Sequence, residues 1–356
     1  MALVSQTIQA YSVNRLKRIL IIQTAFLGDL VLTLPVIQII KEKLPDAEVD
    51  VLVIPSTAEL LNHNSLIRKV IIYDKKISGI GKLLKIANEL RNSSYDVIIS
   101  PHRSARSALI SYLSFPDLSI SFDTSTLSFL YNETVKYEKG IHEIQRNLKL
   151  LDPLGISESV IVRPELFISN IERESVDEVL DGLDVPTGEK FVTIAPGSVW
   201  FTKRFPESKF INICNFLSVE GIKTILIGGM SDFETAERIV EGCRSPLINS
   251  VAGKLSVLES AELVRRSSVL LTNDSAPLHI GNAVNTPVYA IFGSTVPGFG
   301  FYPYGKPDNI FEVNGLSCRP CGIHGRTNCP VDTLDCMKMI NESNVTEKII
   351  SLVRQA

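Results

Sequence analysis

Residues 18–35 read RILIIQTAFLGDLVLTLP, and this stretch decides the fold. Ile19, Leu20, Ile21 and Ile22 form an unbroken apolar run rich in β-branched residues, as a strand buried on both faces of a parallel sheet requires. A turn with Gly28 and Asp29 follows. An apolar pattern of helical period then runs over residues 30–43 and stops near Pro45. Strand, turn and helix in this order open a βαβ unit. The turn lacks the glycines and the lysine of a dinucleotide or Walker-type phosphate fingerprint.

The same alternation continues on either side. Strands are predicted at residues 49–54, 70–73 and 97–100. They are separated by a short helix around Glu59 and a helix over residues 81–91, and followed by a helix from about Ala105. The plan then repeats. A strand at 191–195, a helix at 207–219, a strand at 224–227 and a helix at 233–241 are followed by a helix at 257–266, a strand at 269–272, a helix at 277–284 and a strand at 288–292. Strands separated by helices imply parallel pairing. The expected architecture is therefore α/β: two Rossmann-like, doubly wound domains, residues 1–175 and 176–356, facing a central cleft where ligands bind. The link falls in the polar stretch 169–190, which holds Gly182, Pro186 and Gly188. The last helix is left free to pack back on the first domain.

Composition excludes several classes. With 356 residues, 45% hydrophobic and 21% charged, the chain has material for two cores. A formal charge of −3 argues against wholesale nucleic-acid binding. The longest apolar runs are strand-sized, far short of the roughly 20 residues a membrane span needs. Residues 1–14 lack the continuous apolar core of a secretory leader. These readings give a cytoplasmic protein, with room for peripheral contact at the inner face of the cytoplasmic membrane.

Four loops that follow strands carry polar chemistry. In the first, Asp29 is either an ordinary N-terminal cap or a carboxylate able to take a proton from a hydroxyl. The second, APGSVWFTKRFP at residues 195–206, brings Lys203 and Arg204 to a turn. They are either solvated cations or partners for a departing diphosphate. The third, LTNDSAPLHIGNA at residues 271–283, puts Pro277 at a helix start. Free amides near Ser275 suit phosphate oxygens, Asp274 suits sugar or ribose hydroxyls, and His279 sits about one turn in. The fourth, SPHRSAR at residues 100–106, gathers His102, Arg103 and Arg106. It reads as an anion-binding basic patch or as the ordinary start of a surface helix. Near the end, Cys318, Cys321, Cys329 and Cys336 contain one C-x-x-C. Their later spacings are irregular, so a cluster of reduced thiols is favoured over a four-thiolate zinc site and no metal is assigned.

Taken in order, these motifs resemble glycosyltransferase family nine, the ADP-heptose:lipopolysaccharide heptosyltransferases. The resemblance runs from Arg18 to about Ile340. It rests on RILIIQTAFLGDLVLTLP, APGSVWFTKRFP, LTNDSAPLHIGNA with TPVYAIFGST, and the CRPC…CP…CM tail. It implies a GT-B fold and an inverting, metal-independent transfer with no cofactor beyond the ADP-sugar donor. It also implies Asp29 as general base, with Gly28 beside it at the acceptor. Ser198 and Lys203 match donor-phosphate binders. Asp274, Ser275 and His279 match the donor loop, and Leu255 falls where the family packs adenine. The implied acceptor is the anionic inner core of lipopolysaccharide at the membrane surface, which suits His102, Arg103 and Arg106. Two departures stand out. Ala276 and Pro277 follow the Asp-Ser pair where the family usually has Gly. Ser231, with Asp232 next to it, stands where an acid often meets the donor ribose. A sugar-nucleotide 2-epimerase and a catalytically silent sugar-nucleotide binder are the alternative readings. The former relies on further cleft carboxylates and histidines, and the latter would be free to lose Asp29, Lys203 and Asp274.

Overall fold

The computed structural model describes residues 16–75, 79–157, 162–304 and 309–355. Residues 1–14, read above for a leader, lie outside them. The chain divides into two compact units, one within Met1–Glu138 and Glu143–Val162 and the other within Lys139–His142 and Arg163–Ala356.

The strands of the first unit are β1 (Arg18–Gln23), β2 (Glu48–Val53), β3 (Lys69–Ile72), β4 (Val97–Ser100), β5 (Leu118–Phe122) and β6 (Glu133–Val135). They pair in parallel in the order β3-β2-β1-β4-β5-β6. Its helices are α1 (Leu27–Val31), α2 (Leu34–Lys43), α3 (Pro55–Ala58), α4 (Ile80–Asn92), α5 (Ala105–Leu113) and α6 (Glu143–Leu148). In the second unit come α7 (Asn170–Gly182), β7 (Phe191–Ala195), α8 (Glu207–Val219), β8 (Lys223–Leu226), α9 (Phe233–Cys243), β9 (Ile248–Ser250), α10 (Val257–Arg266), β10 (Val269–Asn273), α11 (Ala276–Ala283), β11 (Val288–Phe292), β12 (Ile310–Glu312), α12 (Asp335–Lys338) and α13 (Glu342–Gln355). The second sheet, again all parallel, runs β12-β11-β10-β7-β8-β9. Both sheets thus follow one winding rule. Strand order reverses beside the first strand of each, between β1 and β4 and between β7 and β10. Loops at the carboxyl ends of such strands are where doubly wound folds bind ligands.

Local chemistry explains the elements. Ile19 to Ile22 are wholly buried because β1 is central and covered on both faces. The helix expected over residues 30–43 is broken into α1 and α2 by Leu32 and Thr33. Pro35 stands in the first turn of α2, has no N–H to give the preceding turn, and would clash with its carbonyl. The polar stretch marked as the link carries α7. Ser169 caps it, Glu172 Oε2 accepts the Ser169 N–H at 2.8 Å, and Val176 and Leu180 reach the core. Helix α13 packs on α8 through Val345, Ile349 and Val353 in the core of the second unit. Gly281 lets α11 lie close on the sheet, since a Cβ there would stand 2.6 Å from Val288 Cγ2 and 2.9 Å from Leu270 Cδ2. Among the described residues no helix is long and apolar enough to cross a membrane.

Candidate active site

In the first unit the polar groups gather on the loops after β1 and β4, beside the reversal of strand order. Asp29 is the third residue of α1, and its Oδ2 accepts the Phe26 N–H at 3.2 Å. Its backbone is fixed from the other side. Thr33 Oγ1 donates to Asp29 O at 2.8 Å and accepts Gln23 Nε2 at 2.9 Å. The carboxylate is partly exposed, while Gly28 before it is buried. Thr24, at the end of β1, is hydrogen-bonded to His102 Nδ1 at 2.8 Å, so the two loops are joined. Lys75 Nζ donates to Thr24 O at 2.8 Å.

His102 lies beside Thr24 and Ser107 at the start of the loop after β4. Burial, and then the charges of Lys75 and Arg103, push it down to about 4, so it is neutral at neutral pH. Arg103 lies close by. Its guanidinium lies 4.0 Å from the Tyr137 ring centroid and donates to Thr124 Oγ1 at 3.3 Å. The Arg146 guanidinium also lies over the Tyr137 ring, 4.3 Å from its centroid. Arg146 is fully buried and ion-paired with Glu143, and it donates to Tyr137 Oη and Glu138 O, both at 2.7 Å. Burial pushes the Glu143 carboxyl up and Arg146 pulls it back, while the negative charge of Asp29 pushes it up again. Arg106, in the first turn of α5, is exposed.

In the second unit the loops after β7 and β10 meet across the equivalent reversal. Lys203 Nζ lies 2.6 Å from Asp274 Oδ2, and both side chains are largely buried. Thr295 Oγ1 donates to the same Oδ2 at 2.6 Å. Asn273 ties the loops together, donating through Nδ2 to Pro196 O at 2.7 Å and accepting the Phe205 N–H at 3.1 Å. Ser198 is buried, and its carbonyl accepts Arg204 Nε at 2.7 Å. Ser275 is the cap residue of α11 and its side chain does not cap; Pro277 has no N–H and Leu278 N–H donates to Ser275 O at 3.1 Å, so the N–H groups at the helix start that can meet a ligand are those of Ser275 and Ala276. His279 is buried in the first turns of α11, and its Nδ1 has no partner among the described residues. Burial, reinforced by His142 and Lys203, pushes it down to about 3. Leu255 lies before α10, against the core that includes Val176 and Val264.

One further acid takes part. Asp232 lies over the loops after β7 and β8, so close that a Cβ on Gly197 would fall 2.2 Å from its Oδ1 and one on Gly228 2.9 Å from its Oδ2. Its Oδ2 accepts the Gly229 N–H at 3.0 Å. Burial pushes its pKa up, against the pull of the Gly229 N–H and Arg204.

The chain matches the profile described as Glycosyltransferase family 9 (heptosyltransferase) over residues 83–330. It belongs to glycosyltransferase family 9. This family 9 transferase is 28% identical over 285 residues to lipopolysaccharide heptosyltransferase 3 of Escherichia coli, covering 76% of this chain and 82% of that one. Its fold is similar to the family 9 glycosyl transferase of Veillonella parvula, with a TM-score of 0.84 at 21% identity over 96% of this chain and 98% of the other. It is also similar to E. coli ADP-heptose lps heptosyltransferase II, with a TM-score of 0.79 at 20% identity over 95% and 99% of the two chains.

The four late cysteines of this enzyme are all unpaired. Cys336 is buried, and burial with the neighbouring thiols pushes it up to about 11, so it stays protonated at neutral pH. Among the described residues no group of three or more His, Cys, Asp or Glu is arranged to hold a metal. The sequence missed Asn273, Thr295, Tyr137, Glu143 and Arg146. Asn273, directly before Asp274, and Thr295, at the end of TPVYAIFGST, carried a positional hint.

Proposed function

We propose that this family 9 transferase moves a heptose from ADP-heptose to a hydroxyl of the anionic lipopolysaccharide inner core, with inversion at the anomeric carbon. The observation that carries the reading is the pairing of Lys203 with Asp274 at 2.6 Å directly before the start of α11, where Ser275 and Ala276 present their N–H groups. A cation, a carboxylate and helix N–H groups together suit a diphosphate joined to a sugar. Lys203 and the N–H groups of Ser275 and Ala276 meet the phosphates, Ser198 lies beside them, and the Asp274 carboxylate takes a sugar hydroxyl. The unpartnered Nδ1 of His279 is open to a donor hydroxyl. Asp232 supplies the ribose acid whose expected position Ser231 occupies, and Leu255 borders the nucleobase.

Asp29 acts on the acceptor. Its carboxylate takes the proton of the attacking hydroxyl. The oxygen forms the new bond to the anomeric carbon, and the bond from that carbon to the diphosphate breaks. ADP leaves with the electron pair, which Lys203 and the amides stabilise, so the protein's own positive charge meets the leaving group without a metal. Arg103, with Arg106 and the neutral ring of His102, faces the phosphate or carboxylate groups of the acceptor at a membrane surface.

The test is transfer from ADP-heptose to heptose-deficient lipopolysaccharide in the presence of EDTA. The wild type is expected to turn over. Asp29→Asn is expected to lose on the order of a thousandfold in kcat while its affinity for ADP stays within about twofold. Transfer by Asp29→Asn at near wild-type rate sinks the base assignment, and loss of wild-type turnover in EDTA sinks the metal-independent reading.

A further inference from the structure

The turn that carries Lys203 has little structure of its own. Phe201–Lys203 is a single 3₁₀ turn with extended backbone at Trp200 and Arg204 on either side. What holds it is a distant piece of chain, residues 313–326, between β12 and the later cysteines. Thr202 N–H donates to Arg326 O at 3.1 Å, and Arg326 N–H donates to Thr202 Oγ1 at 2.8 Å. The Thr202 hydroxyl hydrogen faces Ser294 Oγ at 2.9 Å and Arg326 O at 3.2 Å. Gly325, at φ +87°, brings this strap against the lysine itself, since a Cβ there would stand 3.0 Å from Trp200 Cβ and 3.2 Å from Lys203 Cγ.

The strap is anchored in turn to the loop after β11. Cys321 N–H donates to Ser294 O at 2.9 Å, and Arg326 Nε donates to Cys321 O at 2.8 Å. Arg319 donates to Gly293 O at 2.5 Å and to Thr295 O at 2.7 Å, and pairs with Glu312 at 2.6 Å. Thr295 holds Asp274, and Asp274 holds Lys203. The contacts therefore close a ring through Lys203, Thr202, Arg326, Cys321, Ser294, Thr295 and Asp274.

We propose that Thr202 is a positioning residue of the donor site, through which the strap fixes Lys203 in the orientation that meets the donor diphosphate. The inference rests on the reading of Lys203 given above. Thr202 is 1% exposed, so its hydroxyl touches no substrate and acts only through its neighbours. A long flexible lysine loses rotamer freedom when a ligand binds, and a turn held from behind removes part of that cost beforehand.

The test measures ADP affinity of the full chain by calorimetry, in a double-mutant cycle. Thr202→Val, nearly isosteric, is expected to weaken ADP binding by about tenfold, and Thr202→Ser to restore it. Lys203→Gln is expected to weaken binding by itself. In the Lys203→Gln background Thr202→Val is expected to cost nothing more. An unchanged affinity in Thr202→Val overturns the proposal, and so does an equal cost in both backgrounds, which marks a merely structural role. Should Lys203→Gln leave ADP affinity intact, the phosphate role of the lysine fails first and the positioning role with it. If Thr202→Val does not fold by circular dichroism, Gly325→Ala presses the strap onto the lysine stem and is expected to show the same dependence on Lys203.

Discussion

Asp29 shows how one side chain serves two readings at once. As the third residue of α1 it accepts the Phe26 N–H, as a helix cap does, and it remains partly exposed with room to accept a proton. The cap supplies a fixed orientation, which a general base needs. The two histidines behave differently from free imidazoles, because burial removes their charge. His279 is the stronger case and gives a pH prediction. The folded protein holds it neutral down to about 3, whereas its ordinary value is 6.5. Between these values the unfolded chain binds the extra proton, so stability rises with pH. The stabilisation from a neutral His279 is complete above pH 6.5 and is lost as the pH falls towards 3. Between about pH 7 and about pH 5 this single group should remove about 2 kcal/mol from the unfolding free energy. Chemical denaturation of wild type and His279→Asn at the two pH values checks it. The variant is expected to lose about that much less on acidification, and an identical pH slope in both proteins would show that His279 does not titrate on unfolding.

At the scale of elements, the loops after β7 and β8 share one occupant, the Asp232 carboxylate. Gly197 exists in that loop as a space for it, with the position of a missing Cβ only 2.2 Å from Asp232 Oδ1. Gly197→Ala should therefore leave the fold intact, since the end of a short side chain moves more readily than a strand. It should also displace the acid and weaken ADP binding by roughly tenfold. In an Asp232→Ala background the extra methyl group has space, so the same substitution should cost little. A Gly197→Ala protein that binds ADP like the wild type would remove Asp232 from the donor site. This dependence between loops also explains what the sequence could and could not tell. Periodicity marked β4, α8, α10 and β11 to the residue, because the strands are short apolar runs and the helices bury one apolar face. Strand β5 escaped it because Ser119 and Ser121 break the apolar run. Both are buried and satisfied by hydrogen bonds, Ser119 to Asn132 Oδ1 at 2.7 Å and Ser121 to Ser100 O at 2.8 Å. Strands β9 and β12 are three residues long, too short for a period to show. Lys203 and Asp274 stood out as motif residues. Thr202 and Thr295 lie within quoted motifs and Arg326 does not, but none of the three shows its part locally, because those parts arise only when chain segments far apart in sequence are brought side by side.

At the scale of the molecule, the chain uses one winding twice and gives each copy a different chemistry. Both sheets have the same strand order and reverse it beside their first strand. At the first reversal stand a carboxylate, a neutral imidazole and an arginine stacked on Tyr137, a set suited to deprotonating a hydroxyl on an anionic acceptor. At the second stand an ion-paired lysine, two carboxylates and an open helix N-terminus, a set suited to a nucleotide diphosphate. If the division follows this chemistry, ADP alone should be read by one unit only. Amide hydrogen exchange followed by mass spectrometry can resolve this, because ligand binding suppresses local opening in the segments that hold the ligand. With ADP at about a hundred times its Kd, stabilisation of the bound state reaches about 2.7 kcal/mol, so exchange through openings that release ADP should slow by about a hundredfold. The slowing is expected at residues 197–204, 228–233, 252–256 and 273–279. The strap at residues 316–326 should slow with them, since its hydrogen bonds hold the same lysine. Residues 24–29 and 101–106 should keep their exchange rates until an acceptor is added. Equal protection of residues 24–29 by ADP alone would mean that the nucleotide is not confined to the second unit, and the division of labour drawn from the two polar sets would be wrong.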